Sequence, residues 1–157
     1  MAAVKREGPD ATILHLACHG LLDMVDPLSS ALALSPEGKD DGMLRASDIL
    51  GLHLLADLVM LSACETGLGV QTRFEGVVGL TRALQYAGAR SVGVSLWSVD
   101  VDSTTALMEG FYERLKAGAH KDAALQQAQV AVMQSRSHPG WRHPFFWAAF
   151  QIVGDYK

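Results

Sequence analysis

The stretch VMLSACETG, residues 59–67, carries most of the information on the fold. Its apolar beginning is typical of a buried strand, and it continues into small residues, a cysteine, an acid and a glycine. The stretch ILHLACHG, residues 13–20, has the same form and ends in histidine and glycine. Open α/β sheets place their chemistry at the carboxyl ends of parallel strands. Two neighbouring strands of this kind would bring Cys64 and His19 together as a thiol–imidazole pair.

Composition limits the class of protein. A chain of 157 residues predicts one domain over residues 1–157, and 49% apolar against 19% charged residues indicates a sheet that is covered on both faces. The net charge of −4, without a cluster of Lys and Arg, argues against a nucleic-acid partner. No apolar run reaches the roughly 18 residues of a membrane span. Two cysteines do not make a disulfide framework, so we expect a reducing, cytoplasmic environment.

Apolar periodicity predicts a series of alternating elements. The expected strands cover residues 12–18, 30–34, 55–63, 91–96 and 145–153, and the expected helices cover 47–52, 75–87, 103–116 and 122–134. Gly88 and Gly118 stand where helix terminators belong. Residues 30–42 are expected to form a surface hairpin. Strands that alternate with amphipathic helices predict an α/β fold, with a mostly parallel sheet and helices on both faces.

Cys64 and His19 suit nucleophilic chemistry. A free thiol has a pKa of about 8.5, and a nearby imidazolium stabilises the thiolate. The glycines that follow each residue would let a substrate backbone approach, and amide groups at such turns can bind an oxyanion. The competing interpretation is structural, because cysteine is often buried and histidine is often satisfied within a core. Cys18 is expected to be such an unreactive core thiol, inside the first strand and on the opposite face from His19.

A metal or cofactor site is not predicted. In a strand His15 and His19 would share a face about 13 Å apart, which is too far for one metal ion. In a helix their spacing would suit zinc, but Leu16 stands where an H-E-x-x-H motif has glutamate. The segment GLG, residues 67–69, lacks the third glycine of a dinucleotide loop, since Thr72 occupies that position. Ser62 is outside any G-x-S-x-G elbow.

The motifs HLACHG (residues 15–20) and LSACETG (residues 61–67) resemble the two catalytic blocks of the CHAT family, caspase-like cysteine peptidases usually associated with tetratricopeptide repeats. Further similar motifs follow in the family's order: GVVGLTRA (76–83), AGARSV (87–92), SLW (95–97) and WAAF (147–150). The resemblance implies a caspase-like three-layer sandwich. It also implies His19 as general base or acid, Cys64 as nucleophile, and the amides of Gly20 and Cys64 as the oxyanion hole.

Two departures from the family pattern qualify the resemblance. Members usually carry further strands before the histidine strand, so this chain resembles the catalytic C-terminal portion, without the first strands of the full domain. Its open sheet edge would then seek a partner, such as a tetratricopeptide-repeat or N-terminal segment. Many relatives have aspartate at the position of Val101, whereas here Asp100 and Asp102 flank it. Either acid would suit a basic P1 side chain; the competing interpretation is a helix N-terminus with favourable acids.

Two functions therefore remain. The first is a cysteine endopeptidase that uses His19 and Cys64 on protein or peptide substrates, regulated by a sensor or repeat region. The second is a catalytically silent caspase-like interaction module or an inactive fragment. Chemical reactivity of Cys64 would separate them, because only the first requires a thiol more acidic than a free one.

Overall fold

Alternating strands and helices make up the chain, as the computed structural model shows for residues 2–23, 25–62 and 70–157. The strands are β1 (Ile13–Leu16), β2 (His19–Leu21), β3 (Ala31–Ala33), β4 (Met43–Arg45), β5 (Leu58–Leu61), β6 (Ser91–Ser95) and β7 (Phe150–Gly154). The helices are α1 (Ala2–Glu7), α2 (Ala46–Ile49), α3 (Val70–Tyr86), α4 (Val101–Lys116) and α5 (Lys121–Met133). No helix in these described ranges is both long and apolar enough to cross a membrane.

The main sheet has the strand order β1–β5–β6–β7. β1, β5 and β6 run parallel, and β7 runs antiparallel to β6. Leu61 is the Cα partner of both Leu16 in β1 and Val94 in β6, so the carboxyl ends of the three parallel strands form one edge. The predicted mostly parallel α/β sheet is confirmed.

Helices cover both faces of this sheet and create two separate cores. Val59 belongs to the cluster that includes Leu84 of α3, whereas the next residue, Met60, belongs to the cluster that includes Phe111 of α4. Successive side chains of a strand point to opposite faces, which explains this division. All four residues of β5 are buried, as expected of a strand in the middle layer of three.

The expected strand over residues 12–18 is wrong in its extent. β1 ends at Leu16, the backbone bends at Cys18, and His19 begins β2. β2 pairs with β3 in a second, antiparallel sheet of order β2–β3–β4. β1 takes only Ile13–Leu16 of this run, because an apolar run predicts a strand but not the residue at which the chain leaves one sheet for another. Cys18 therefore lies in the link between two strands.

The expected strand over residues 145–153 begins later than predicted, at Phe150. Pro144 instead opens a short 3₁₀ turn that runs to Phe146. Proline has a fixed φ and no amide hydrogen, so it favours the first position of a helical turn over a position inside a sheet. A hairpin is present with β3 and β4 as its two strands, but its second strand follows the predicted residues 30–42, and Leu32 and Leu44 are fully buried, so it is not confined to the surface.

Helix ends follow local chemistry. α2 covers Ala46–Ile49, so it is shorter than the expected helix over residues 47–52, and the Asp48 carboxylate in its first turn accepts a hydrogen bond from the Arg45 amide at 3.1 Å. α3 begins at Val70, five residues before the predicted start. Gly88 and Gly118 follow α3 and α4 with φ of 116° and 88°, a conformation that L-residues rarely adopt.

Candidate functional site

The ends of β1 and β5 bring the starts of the two sequence motifs side by side. Leu16 and Leu61 are Cα partners, and the Ser62 amide donates a hydrogen bond to the Leu16 carbonyl at 3.0 Å. In the sequence His19 follows Leu16 by three positions, and Cys64 follows Leu61 by three positions. Cys64 and the rest of residues 63–69 lie outside the described residues. The register therefore aligns the starting points of both motifs.

His19 is the first residue of β2, where its Cα partner is Ala33 of β3. Its side chain is exposed, while the following Gly20 is buried. β3 in turn pairs with β4, which fixes β2 in a three-stranded sheet beside the carboxyl edge of the main sheet. The antiparallel ladder thus supports the backbone of His19 while its imidazole remains accessible from solvent.

Gly20 lines a small apolar cavity of about 30 Å³ at this edge. The other lining residues come from the segment after β2, from the ends of β5 and β6, from α3 and from the segment after β6: Leu22, Leu61, Val77, Leu80, Val94, Ser95, Leu96, Trp97 and Ser98. The indole of Trp97 donates a hydrogen bond to the Phe145 carbonyl at 3.1 Å and packs against the core of α4 and α5. Trp97 is thus both a packing residue and part of this wall.

Asp100 has a structural partner. One of its carboxylate oxygens accepts a hydrogen bond from the Ser103 amide at 2.9 Å, which makes Asp100 the N-cap of α4. Asp102 lies exposed in the first turn of the same helix, where negative charge is favourable. The capping interpretation therefore has a direct observation behind it, and a role for either acid in a substrate pocket stays a prediction.

Cys18 is half-buried and packs against the core cluster on the α3 side of the sheet. Burial raises the pKa of its thiol, because the thiolate loses solvation there. A raised pKa lowers the thiolate fraction at neutral pH, so Cys18 is poorly suited to nucleophilic attack. It has the character of the expected unreactive thiol, although it is less buried than predicted.

His15 has two side-chain partners that the sequence did not indicate. Its Nε2 lies 3.0 Å from the Ser62 hydroxyl, and its Nδ1 lies 3.0 Å from the Tyr112 hydroxyl. Burial lowers the pKa of His15 and raises that of Tyr112 to about 12. The described residues contain no group of three or more His, Cys, Asp or Glu side chains that could hold a metal ion.

Comparison with known proteins gives a consistent result. The model of the CHAT domain matches residues 1–155 of the chain. Tetratricopeptide repeat protein 28 of Mus musculus is 38% identical over 113 residues, which cover 72% of this chain. The protein of the same name from Homo sapiens matches equally well. The chain spans about 4% of the length of both relatives. A family match over nearly every residue, on a mostly parallel sheet, shows that this chain belongs to the CHAT domain family.

Proposed function

We propose that the chain is a caspase-like cysteine endopeptidase domain, with Cys64 as nucleophile and His19 as general acid and base. The observation that carries this proposal is the pairing of Leu16 with Leu61. In the sequence, His19 and Cys64 each follow their paired leucine by three positions. We take residues 1–157 as one domain. Membership of the CHAT family supports a peptidase-related function in general, and the dyad is the specific form that we propose.

The proposed reaction is acyl transfer in two steps. The Cys64 thiolate attacks the scissile carbonyl carbon, and a carbon–sulfur bond forms while the carbonyl oxygen becomes an oxyanion. The amides of Gly20 and Cys64 would donate hydrogen bonds to this oxyanion. His19 then gives its proton to the leaving amine nitrogen as the carbon–nitrogen bond breaks. A water, deprotonated by His19, attacks the resulting thioester; the carbon–sulfur bond breaks, the carboxylic acid leaves, and the Cys64 thiolate is regenerated beside the protonated His19.

The surroundings of Gly20 support this assignment. Gly20 is buried, has no side chain to block a peptide, and borders the apolar cavity beside Leu61. Apolar walls exclude water from an oxyanion site, and hydrogen bonds are stronger where water is excluded. The exposed His19 next to it can reach a bound peptide from the solvent side.

A tetratricopeptide-repeat partner or an additional N-terminal segment is part of the proposal. β1 has one neighbour, β5, within the described part of the main sheet, and its Ile13 side chain is 45% exposed. An edge of this kind offers unpaired backbone groups to another strand. The printed name of both relatives, Tetratricopeptide repeat protein 28, supports repeats as the associated element. The same edge favours the second candidate, a silent interaction module, and we expect either form to be cytoplasmic.

The pH dependence of Cys64 alkylation tests the dyad. An imidazolium partner lowers a cysteine pKa, so iodoacetamide should modify Cys64 with an apparent pKa at least about one unit below the 8.5 of a free thiol. At pH 6 that corresponds to an alkylation rate roughly tenfold above that of a free thiol. His19→Ala should return the profile to that of a free thiol, whereas His138→Ala, which removes an exposed histidine of the 3₁₀ region, should not. Mass spectrometry of the Cys64 peptide measures the rate. Identical profiles for the parent and His19→Ala would contradict the proposal.

Substrate preference for a basic P1 residue can be tested at Asp100 without loss of the helix cap. Asparagine caps a helix about as well as aspartate, so Asp100→Asn removes the charge and keeps the oxygen that accepts from Ser103. If the charge receives Arg or Lys, the variant should lose roughly tenfold in kcat/KM for basic substrates, with little change in the unfolding midpoint. Asp100→Ala, which also removes the cap, should lower stability by about 1 kcal/mol. An unchanged preference in Asp100→Asn would leave Asp100 as a cap alone, and Asp102→Asn would then test the remaining acid.

A further inference from the structure

We propose that Tyr112, His15 and Ser62 form a hydrogen-bonded relay that positions the carboxyl end of β5, and with it the segment that carries Cys64. None of the three is assigned to the reaction itself, so they are positioning residues. The inference deepens the proposed function, on which it rests for the role of Cys64. Its observable is the chemical environment of that thiol, which can be measured whether or not the chain cleaves peptides.

The relay links three elements through two short contacts. Tyr112 of α4 lies 3.0 Å from Nδ1 of His15 in β1, and Nε2 of the same ring lies 3.0 Å from the hydroxyl of Ser62, directly after β5. The rings of His15 and Tyr112 also contact one another, with centroids 5.7 Å apart. His15 is therefore held at both nitrogens, which fixes its orientation as well as its position.

Ser62 is held at two points by the same neighbouring strand. Its amide donates to the Leu16 carbonyl at 3.0 Å, and its hydroxyl contacts His15, one residue earlier in β1. The backbone bond alone would leave the side chain free to rotate, while the second bond fixes it as well. Cys64 lies two positions further along the chain. Because Ala63 alone separates the two residues in the sequence, we infer that a displacement at Ser62 changes the surroundings of the nucleophile.

The other end of the relay is anchored in the core. Tyr112 follows Phe111, which is fully buried in the cluster shared by α4, α5 and the main sheet. The two rings contact each other with centroids 5.2 Å apart. Packed interiors resist small displacements, so the Tyr112 hydroxyl is a fixed point in relation to β1. The core thus holds Tyr112, Tyr112 holds His15, and His15 holds Ser62.

The relay is internally consistent when it is neutral. A neutral imidazole has one donor nitrogen and one acceptor nitrogen, and both hydroxyl partners can either donate or accept. Whichever tautomer His15 adopts, both contacts can be satisfied in one direction along the relay. Burial lowers the pKa of His15 and raises that of Tyr112 to about 12, so neither group is charged at neutral pH. This differs from the proposed His19–Cys64 dyad, which functions as an ion pair.

The same contacts could be taken for a serine nucleophile with its base. Two features favour positioning instead. The Ser62 amide is already bonded to Leu16, so it is not available to stabilise an oxyanion, and Ser62 has no nucleophile-elbow sequence around it. The geometry therefore favours Ser62 as an accepting or donating anchor, not as a reacting group.

A pair of hydroxyl deletions tests the relay. Tyr112→Phe and Ser62→Ala each remove one contact and leave the His15 ring in place; Tyr86→Phe makes the same chemical change at a tyrosine that is 79% exposed. We expect each relay variant to change the rate constant of Cys64 alkylation roughly three- to tenfold, as misplacement of a reacting group commonly does. Tyr86→Phe should leave it within about twofold of the parent. Cys18, measured in the same samples, should react at an unchanged rate.

The double variant separates a relay from two independent effects. Tyr112 and Ser62 meet through His15, so loss of either contact weakens the other, and the double variant should change the rate by less than the product of the two single changes. A rate change in the double variant that equals the product of the two single changes overturns the relay. So does an unchanged Cys64 rate in both single variants, an equal acceleration of Cys18, which would indicate general loosening, or labelling of Ser62 by a fluorophosphonate.

The outcomes for the relay and for the peptidase remain distinct. An ordinary thiol profile for Cys64 in the parent chain contradicts the catalytic dyad. The relay is judged on the ratio of each variant to that parent, so a changed ratio supports it and an unchanged ratio overturns it in either case. Thermal unfolding of each variant accompanies the rates. If Tyr112→Phe proves unstable, Ser62→Ala, at a half-buried position in the segment after β5, supplies the same ratio.

Discussion

Replacement of Cys64 by alanine is expected to abolish peptide cleavage, with kcat reduced by at least about 10³-fold. Alanine has no group that can form the thioester, and His19 then has no thiol from which to take or to which to return a proton. Any residual rate would come from binding and from the oxyanion donors alone. The measurement is the hydrolysis of fluorogenic peptides with Arg or Lys before the scissile bond, at pH 7 and with enzyme in a range that gives initial rates.

Cys18→Ala is the matched control for this loss, because it removes the chain's other thiol. Cys18 is half-buried, has a raised pKa and packs on the core cluster on the α3 side, so its removal should leave kcat within a few-fold of the parent. Cleavage that persists in Cys64→Ala would contradict Cys64 as nucleophile. Equal loss in both variants, together with a lowered unfolding midpoint in Cys18→Ala, would point to a damaged fold and leave the alkylation profile of the parent to decide the role of Cys64.

Strands of the main sheet could be predicted where an apolar run has the length of a strand and is bounded by polar or glycine-rich segments. β5 and β6 are short apolar runs between polar or glycine-rich segments, and both lie inside the predicted ranges. The predicted strand over residues 12–18 is too long because the same apolar residues suit one long strand and a short strand followed by a bend into the second sheet. Only the pairing of His19 with Ala33, which is set by a hairpin further along the chain, distinguishes the two arrangements.

Local motifs indicated the candidate dyad, but contacts between distant elements could not be predicted. His19, Gly20 and Cys64 stand out because glycine and small residues surround them in two similar strand ends. The contact of His15 with Tyr112 joins residues 97 positions apart and depends on which turn of α4 crosses β1. Helical periodicity identifies the buried face of α4 but not its crossing point on the sheet. The capping role of Asp100 was open to prediction, since an acid before a helix is a common signal.

Lys121 is expected to contribute the largest single polar effect on stability. Its side chain is 4% exposed, yet it carries an ammonium group at the start of α5. Nζ lies 3.1 Å from a carboxylate oxygen of Asp57, and it donates to the carbonyls of Asp155 at 3.1 Å and Lys157 at 2.8 Å. This one group thus joins α5, the segment before β5 and the segment after β7.

Lys121→Ala should lower the free energy of unfolding by about 3 kcal/mol, the lower end of the range for a broken buried ion pair. The lower end applies because the Asp57 side chain is 37% exposed and also pairs with Arg90 at 3.7 Å, so its charge is not left isolated. The carbonyls of Asp155 and Lys157 lose a donor, and the aliphatic stem loses its packing. Lys121→Met keeps most of the aliphatic stem and should lower the free energy of unfolding by about half as much. Urea denaturation at pH 7 measures both.

Lys116→Ala, at an exposed position in the last turn of α4, should change the same free energy by less than about 0.5 kcal/mol. Equal losses of unfolding free energy in Lys116→Ala and Lys121→Ala would contradict the buried clamp, by which we mean Lys121 with its contacts to Asp57, Asp155 and Lys157.

Asp57 precedes β5, so the clamp lies at the amino ends of the parallel strands, at the opposite end of the sheet from His19 and the Ser62 contact. Lys121→Met should therefore lower stability while the alkylation rate of Cys64 in the folded fraction stays that of the parent. If the free energy of unfolding and the Cys64 alkylation rate both fall, a structural change at the amino end of β5 is transmitted along this buried strand to its carboxyl end.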